Sequence, residues 1–122
     1  GKLDFASSCV SRLRSQQRDE RLAAVRTLGL YRHTYDAHIV EPVIACLQDE
    51  DARMRQAAAG TLGQIAAQGD APTVRALMTA LYDDVPEVRQ ILVKSLGRIA
   101  RKGDMDATTA ITLRLRDADA RV

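Results

Sequence analysis

The chain has 122 residues, of which 46% are hydrophobic and 28% are charged, so it has the size and composition of one globular domain rather than a disordered segment. Aromatic residues make up only 3%, which means that the core has to be built from aliphatic residues and alanine. A net charge of +2 is too close to neutral to predict the wrapping of nucleic acid, and no apolar run approaches the roughly 18 residues of a membrane span.

The sequence repeats itself every 34 residues. The Leu-Gly pair at 28–29 returns at 62–63 and again at 96–97, and the same step aligns three arginines and three aspartates. The aligned residues are Arg21, Arg55 and Arg89, and Asp49, Asp83 and Asp117. This register predicts a single domain with about three and a half repeats, made of units at roughly 1–35, 36–69 and 70–103 and an incomplete unit at 104–122. Because the last unit is incomplete, we expect the chain to be part of a longer protein.

Apolar residues recur at helical spacing twice in each full unit, which predicts two helices per unit. The second helices centre on Leu28, Leu62 and Leu96, which we expect to be buried. The fourth unit has one predicted helix, with Ile111 and Leu115, and the sequence stops where its second helix should start. No segment alternates with a period of two, so no strand is predicted. In chain order, turns are expected near residues 15–18, 33–36, 48–51, 67–70, 82–86 and 101–104.

Local signals refine these helices. Asp70 can cap the first helix of unit three, where Pro72 fits the first turn, and Gly103 is a predicted left-handed stop of the second. A small hydroxyl residue recurs in the second helices, where its side chain can bond the carbonyl one turn back and let helices approach closely. These aligned residues are Thr27, Thr61 and Ser95.

A two-helix unit cannot cover both sides of its apolar stripe, so stacking of units is required to complete the core. This predicts an all-α fold, a right-handed α-solenoid of antiparallel helix pairs. A tetratricopeptide pattern fails, because Glu41 and Arg75 stand where it needs alanine.

Each full inner unit contains a turn aspartate, a Val-Arg-like pair at the start of the second helix, and a Leu-Gly-x-Ile at its end. In unit two these are Asp49, Met54-Arg55 and Leu62-Gly63-Gln64-Ile65, and in unit three they are Asp83, Val88-Arg89 and Leu96-Gly97-Arg98-Ile99. With this pattern the chain resembles HEAT repeats, in particular the short HEAT-like repeats of the phycobilisome-lyase type.

The resemblance implies two sets of functional positions. In HEAT proteins the turn aspartate and the helix arginine bond within and between units, which implies a structural ladder. Its members here are Arg21, Asp49, Arg55, Asp83, Arg89 and Asp117. The second helices of HEAT solenoids line the concave side, and the polar positions there form a net basic, partner-binding face. Its members here are Arg26, His33, Arg53, Gln56, Gln64, Glu87, Gln90, Lys94, Arg98 and Arg101.

The expected function is a non-catalytic protein-binding scaffold whose partner carries an acidic or phosphorylated segment. The alternative is a subunit of a bilin lyase, or a chaperone-like factor for a tetrapyrrole-carrying protein. Self-association through the incomplete C-terminal repeat is also expected, because its apolar face lacks a covering helix.

No catalytic, cofactor-binding or metal-binding residue is predicted. His33, Asp36 and His38, with Tyr31 and Tyr35, form the one cluster able to ligate metal, but two histidines five residues apart do not share a helix face. The cluster is better explained as part of a contact surface. Cys9 and Cys46 lie on or beside apolar stripes and are expected to be reduced core residues of a cytoplasmic or otherwise intracellular protein.

Overall fold

The computed structural model describes the backbone of residues 2–31, 37–100 and 104–120, and side chains within those ranges except at 2–4, 105–106 and 115–120. Every regular element in these residues is helical, which confirms the all-α prediction. The helices are α1 (Lys2–Arg12), α2 (Arg18–Leu28), α3 (Ala37–Ala45), α4 (Ala52–Ile65), α5 (Ala71–Ala80), α6 (Pro86–Ile99) and α7 (Met105–Ala120). Short 3₁₀ turns extend α2 over Gly29–Tyr31 and α3 over Cys46–Gln48.

The breaks between helices follow the predicted turns wherever the structure describes them. Breaks fall at the turns expected near 15–18, 48–51, 67–70 and 82–86, while those expected near 33–36 and 101–104 lie almost wholly outside the described residues. Asp70 caps α5, its carboxylate accepting a hydrogen bond from the backbone N–H of Thr73, with Pro72 in the first turn. Just before it, Gly69 takes a left-handed conformation with φ of 79°. The predicted stop at Gly103 lies outside the described residues.

The helices form two layers. Within each full unit the first helix packs on the second, as α1 on α2, α3 on α4 and α5 on α6. Between units, the second helices α2, α4 and α6 contact one another far more extensively than the first helices do. The layer of α2, α4 and α6 is called the inner layer below, and it is the one that the sequence analysis predicts to be concave.

The core runs between these layers, and apart from Cys9, Cys46 and Met54 the buried hydrophobic residues that the structure describes are aliphatic. Leu28, Leu62 and Leu96 are fully buried, as predicted for the leucines of the Leu-Gly pairs. Tyr31, which aligns with the buried Ile65 and Ile99, is partly buried and packs against the same cluster.

Hydroxyl groups join consecutive second helices. Thr61 Oγ1 donates to the carbonyl of Val25 at 2.9 Å, and Ser95 Oγ donates to the carbonyl of Ala59 at 2.7 Å; each bond spans 36 residues. The prediction of bonds to the carbonyl one turn back was therefore wrong for these two residues and holds only for Thr27, which donates to Ala23. The reason is that α4 and α6 each have a preceding second helix whose carbonyl lies within reach.

The glycines of the Leu-Gly pairs allow this close approach. A Cβ placed on Gly63 would lie 2.8 Å from Ser95 Oγ and 3.3 Å from the Ser95 Cα. A Cβ on Gly97 would meet no atom within 4 Å, because no described second helix follows α6. Glycine is therefore sterically required at the α4–α6 contact and is not required at Gly97.

The fourth unit departs from its predecessors. Its helix α7 continues through position 117, where the sequence predicts the turn that Asp49 and Asp83 occupy in earlier units. In those units the chain turns back to place a second helix on the apolar face of the first.

The two glycines should respond oppositely to alanine. Gly97→Ala should raise the free energy of unfolding by up to about 1 kcal/mol, because alanine is the better helix former and its methyl group meets open space. Gly63→Ala should lower it by roughly 1–3 kcal/mol, because the methyl group forces α4 and α6 apart. Urea denaturation of both variants measures the difference, and equal effects would contradict the close approach.

Candidate functional site

A groove lies on the concave layer between α2 and α4. It has a volume of about 550 Å³. Its lining brings together four of the residues predicted for the partner-binding face, Arg26, Arg53, Gln56 and Gln64. The remaining lining residues are Leu30, Ala57, Gly60 and Thr61.

The two arginines of the groove are exposed and have no partner among the described residues. Neither the Arg26 nor the Arg53 guanidinium makes a hydrogen bond or an ion pair with any residue that the structure describes. Guanidinium groups present a planar fork of donors suited to carboxylates and phosphates. The groove therefore offers two positive, hydrogen-bonding side chains to a ligand.

Leu30 is the lining residue that the sequence analysis missed. It is 79% exposed, unusual for a leucine, and lies at the end of α2 beside the groove. The 34-residue register aligns it with Gln64 and Arg98, both on the predicted concave face. The register could have identified it, but a search for polar residues passes over a leucine.

The second part of the predicted face lies on α6. Glu87, Gln90, Lys94 and Arg98 are all exposed there, and they do not line the groove. Lys94 and Arg98 make no ion pair with the described part of the chain. His33 and Arg101, the remaining predicted members, lie outside the described residues. The described concave positions thus include four cations and one carboxylate.

The residues of the predicted ladder hold consecutive turns together. Arg21 Nε lies 3.2 Å from Asp49 Oδ2, and Arg55 Nε lies 2.7 Å from Asp83 Oδ2, each pair 28 residues apart. The Nη1 group of each arginine also donates to a carbonyl of its own turn, Ser15 for Arg21 and Asp49 for Arg55. Each arginine therefore ties the turn of its own unit to the turn of the next.

Arg89 makes the same kind of hydrogen bond to its own turn as Arg21 and Arg55 make to theirs. Its Nη1 group donates to the carbonyl of Asp83 at 2.8 Å and to that of Asp84 at 3.1 Å. The side chain of Asp117, its predicted partner, lies outside the described residues. Arg21, Asp49, Arg55 and Asp83 are partly buried and paired with one another, which separates these arginines from the exposed arginines of the groove.

The cysteines are buried free thiols. Burial raises the pKa of Cys46 to about 11, and the nearby carboxylate of Asp49 adds to the rise, while Arg21 opposes it. At neutral pH Cys46 is a thiol rather than a thiolate, and its Sγ donates to the carbonyl of Pro42. Cys46 therefore acts as a small core residue.

The described residues contain no group of three or more histidine, cysteine, aspartate or glutamate side chains placed to hold a metal ion. His38 is exposed at the start of α3, and His33 and Asp36 lie outside the described residues. None of the described helices is long and apolar enough to cross a membrane.

Comparison with known protein families places these observations in context. A family model for HEAT repeats matches residues 7–97, which is more than half of the chain. A comparison with curated proteins finds no match. The matched region covers the groove and both described ladder pairs.

The ladder predicts the effect of one neutral substitution. Asp83→Asn should lower the free energy of unfolding by roughly 1–3 kcal/mol, because it leaves the partly buried Arg55 guanidinium without its carboxylate. The neighbouring Asp84→Asn, an exposed carboxylate whose side chain pairs with no described residue, should change it by less than about 0.5 kcal/mol. Chemical denaturation compares the free energies of unfolding of the two variants. Similar losses would show that the Asp83 carboxylate stabilises the fold no more than that of Asp84.

Proposed function

The chain belongs to the HEAT repeat family, and we propose that it is a non-catalytic scaffold that binds another protein on its concave layer. HEAT repeats generally mediate protein–protein interactions and are typically non-catalytic. The observation that carries the proposal is the groove between α2 and α4, whose two exposed arginines have no partner among the described residues.

We further propose that the partner presents an acidic or phosphorylated segment. Arg26 and Arg53 can each donate two hydrogen bonds to a carboxylate or phosphate, and the amides of Gln56 and Gln64 add uncharged donors. Leu30 adds an apolar contact for a neighbouring side chain of the segment. Lys94 and Arg98 continue the positive potential along α6, which favours rapid encounter with a negatively charged segment.

The alternative role, a bilin lyase subunit or a chaperone-like factor for a tetrapyrrole-carrying protein, stays a second proposal. Mixing the chain with a bilin and reading the absorbance of the bilin distinguishes the two roles, because a scaffold leaves the spectrum unchanged.

We also propose an intracellular location, which is supported by two buried free thiols.

Self-association through the incomplete fourth unit is a separate proposal. Ile111 on α7 is only partly buried, so the apolar face on which it lies offers a contact to a second copy. Light scattering over a concentration series should show a rise in mean mass for the wild type and a smaller rise for Ile111→Ser. A monomer at every concentration would contradict it.

Charge reversal in the groove tests the scaffold proposal. A set of fluorescent acidic peptides, each made with and without phosphoserine, is titrated with the wild type and with the double variant Arg26→Glu/Arg53→Glu. Peptides that bind the wild type should lose about tenfold or more in affinity, because two attractive contacts become repulsive. The variant Lys94→Glu/Arg98→Glu should show a smaller loss, since these residues lie outside the groove.

The matched control is Arg75→Glu, which reverses an exposed arginine of α5 in the outer layer. It should leave peptide affinity within about twofold of the wild type, because exposed charges at a distance are largely screened by salt. If the groove variant binds as well as this control, the site lies elsewhere.

A further inference from the structure

A second cleft lies on the outer layer of the solenoid, between α3 and α5. We call it the outer cleft, and its two walls are formed by Ile44, Leu47 and Gln48 on the α3 side and by Ala76, Thr79 and Ala80 on the α5 side. Its volume is about 390 Å³. It shares no lining residue with the groove between α2 and α4, so the two surfaces are separate.

The outer cleft belongs to a series that follows the 34-residue register. A smaller cleft of about 170 Å³ lies between α1 and α3, and each residue that lines it has its equivalent 34 positions later in the lining of the outer cleft. One position of this series changes in size from unit to unit. It holds Cys46 in the smaller cleft, Ala80 in the outer cleft and Arg114 between α5 and α7.

Between α5 and α7 this position is filled by an arginine side chain. Arg114 is only 5% exposed, and its Nε donates to the carbonyl of Leu81 at the end of α5. The Arg114 guanidinium lies over the ring of Tyr82, 5.2 Å from the ring centroid. Carbonyls at the C-terminus of a helix and the face of an aromatic ring both attract a cation. The fold therefore shows how one member of the series binds a guanidinium group.

The outer cleft presents similar acceptors without an arginine of its own. Leu47, at the end of α3, is the equivalent of Leu81, and Gln48 stands at the position of the Tyr82 ring. The side chain of Ala80 ends at Cβ, so the space that Arg114 takes up in its own unit belongs here to the cleft.

The charge of the lining selects a cation. Tyr82, which is 69% exposed, and the carboxylate-bearing Asp83 also line the outer cleft. Among the described residues, those that line it include one carboxylate and no cationic side chain. The next residue, Asp84, is an exposed carboxylate, and so is Glu50 two positions after Gln48. A positively charged, planar group is therefore the best match to this surface.

We propose that the outer cleft binds an arginine side chain presented by a partner protein. The guanidinium donates to the Leu47 carbonyl, as Arg114 donates to that of Leu81, with Tyr82 beside it. An apolar residue next to the arginine packs on Ile44 and Ala76. Lysine fits less well, because its ammonium group lacks the planar fork that stacks on a ring. The proposal does not rest on the function proposed for the concave groove.

The probe is the tripeptide acetyl-Leu-Arg-Leu-amide, titrated into the ¹⁵N-labelled chain and followed by NMR. The backbone amides of Gln48, Thr79 and Ala80 should shift saturably. The same peptide with citrulline, which has the shape of arginine without its charge, should bind about fivefold or more weakly. The peptide with lysine should bind about threefold more weakly than the arginine peptide.

The blocking variant is Ala80→Arg, which introduces the side chain found at the equivalent position 114. Because its own guanidinium competes for the cleft, it should weaken binding of the arginine peptide about tenfold or more. The matched control is Ala71→Arg, which adds the same charge at an exposed site at the start of the same helix. It should stay within about twofold of the wild type. Circular dichroism and urea denaturation show that both variants are folded.

A second variant tests the ring without filling the cleft. Tyr82→Leu changes an exposed side chain and should weaken the arginine peptide about two- to fivefold, because the aromatic face is lost. The citrulline peptide carries no charge, so its affinity should be the same for Tyr82→Leu and the wild type.

Four results would overturn the proposal. The first three are absence of saturable shifts, equal binding of the arginine and citrulline peptides, and binding that survives Ala80→Arg. The fourth is free arginine binding as tightly as the tripeptide, which would assign the cleft to the amino acid rather than to a partner protein.

Discussion

The structure depends on how closely consecutive second helices approach one another. The hydroxyl groups of Thr61 and Ser95 reach a carbonyl of the preceding helix only because that helix lies close, and at Gly63 the same closeness leaves no room for a Cβ. The 34-residue step brings a small hydroxyl residue and a Leu-Gly pair back to the same place in each unit. The leucines of these pairs, Leu28, Leu62 and Leu96, are fully buried in the core between the two layers.

The arginines of this chain divide into two groups by what surrounds them. Arg21 and Arg55 are partly buried, face carboxylates of the next unit and also donate to carbonyls of their own turn. Arg26 and Arg53 lie only a few residues away on the same helices, yet they point to the groove and are exposed. Helical geometry separates the two roles. Arg21 and Arg26 are five positions apart, and Arg53 and Arg55 are two apart, so the members of each pair face different directions. One face of each second helix thus holds the solenoid together, while another remains available to a ligand.

The sequence predicted most of the fold because the features that specify it are local and repeated. Apolar spacing located Leu62 and Leu96, and turn residues such as Asp70 located the helix ends. The features that the sequence analysis missed depend on contacts with other elements of the fold. The acceptor of the Thr61 hydroxyl is on another helix, which no local rule identifies. Helix α7 continues through position 117, where the repeat register predicts a turn. In the candidate site, the arginines follow from the register, whereas Leu30 contradicts the expectation that an exposed position is polar.

The two layers of the solenoid differ in how their members are joined, and this gives the molecule a mechanical asymmetry. The inner helices are joined by direct hydroxyl–carbonyl bonds and by extensive packing, whereas α1, α3, α5 and α7 touch one another much less. A bending load therefore meets a stiff inner layer and a compliant outer layer. The neutral axis of the bend lies near α2, α4 and α6. Bending therefore changes the distances between α1, α3, α5 and α7, while the distance across the groove between α2 and α4 stays nearly constant. A ligand held between α2 and α4 consequently stays in register with its arginines while the solenoid flexes.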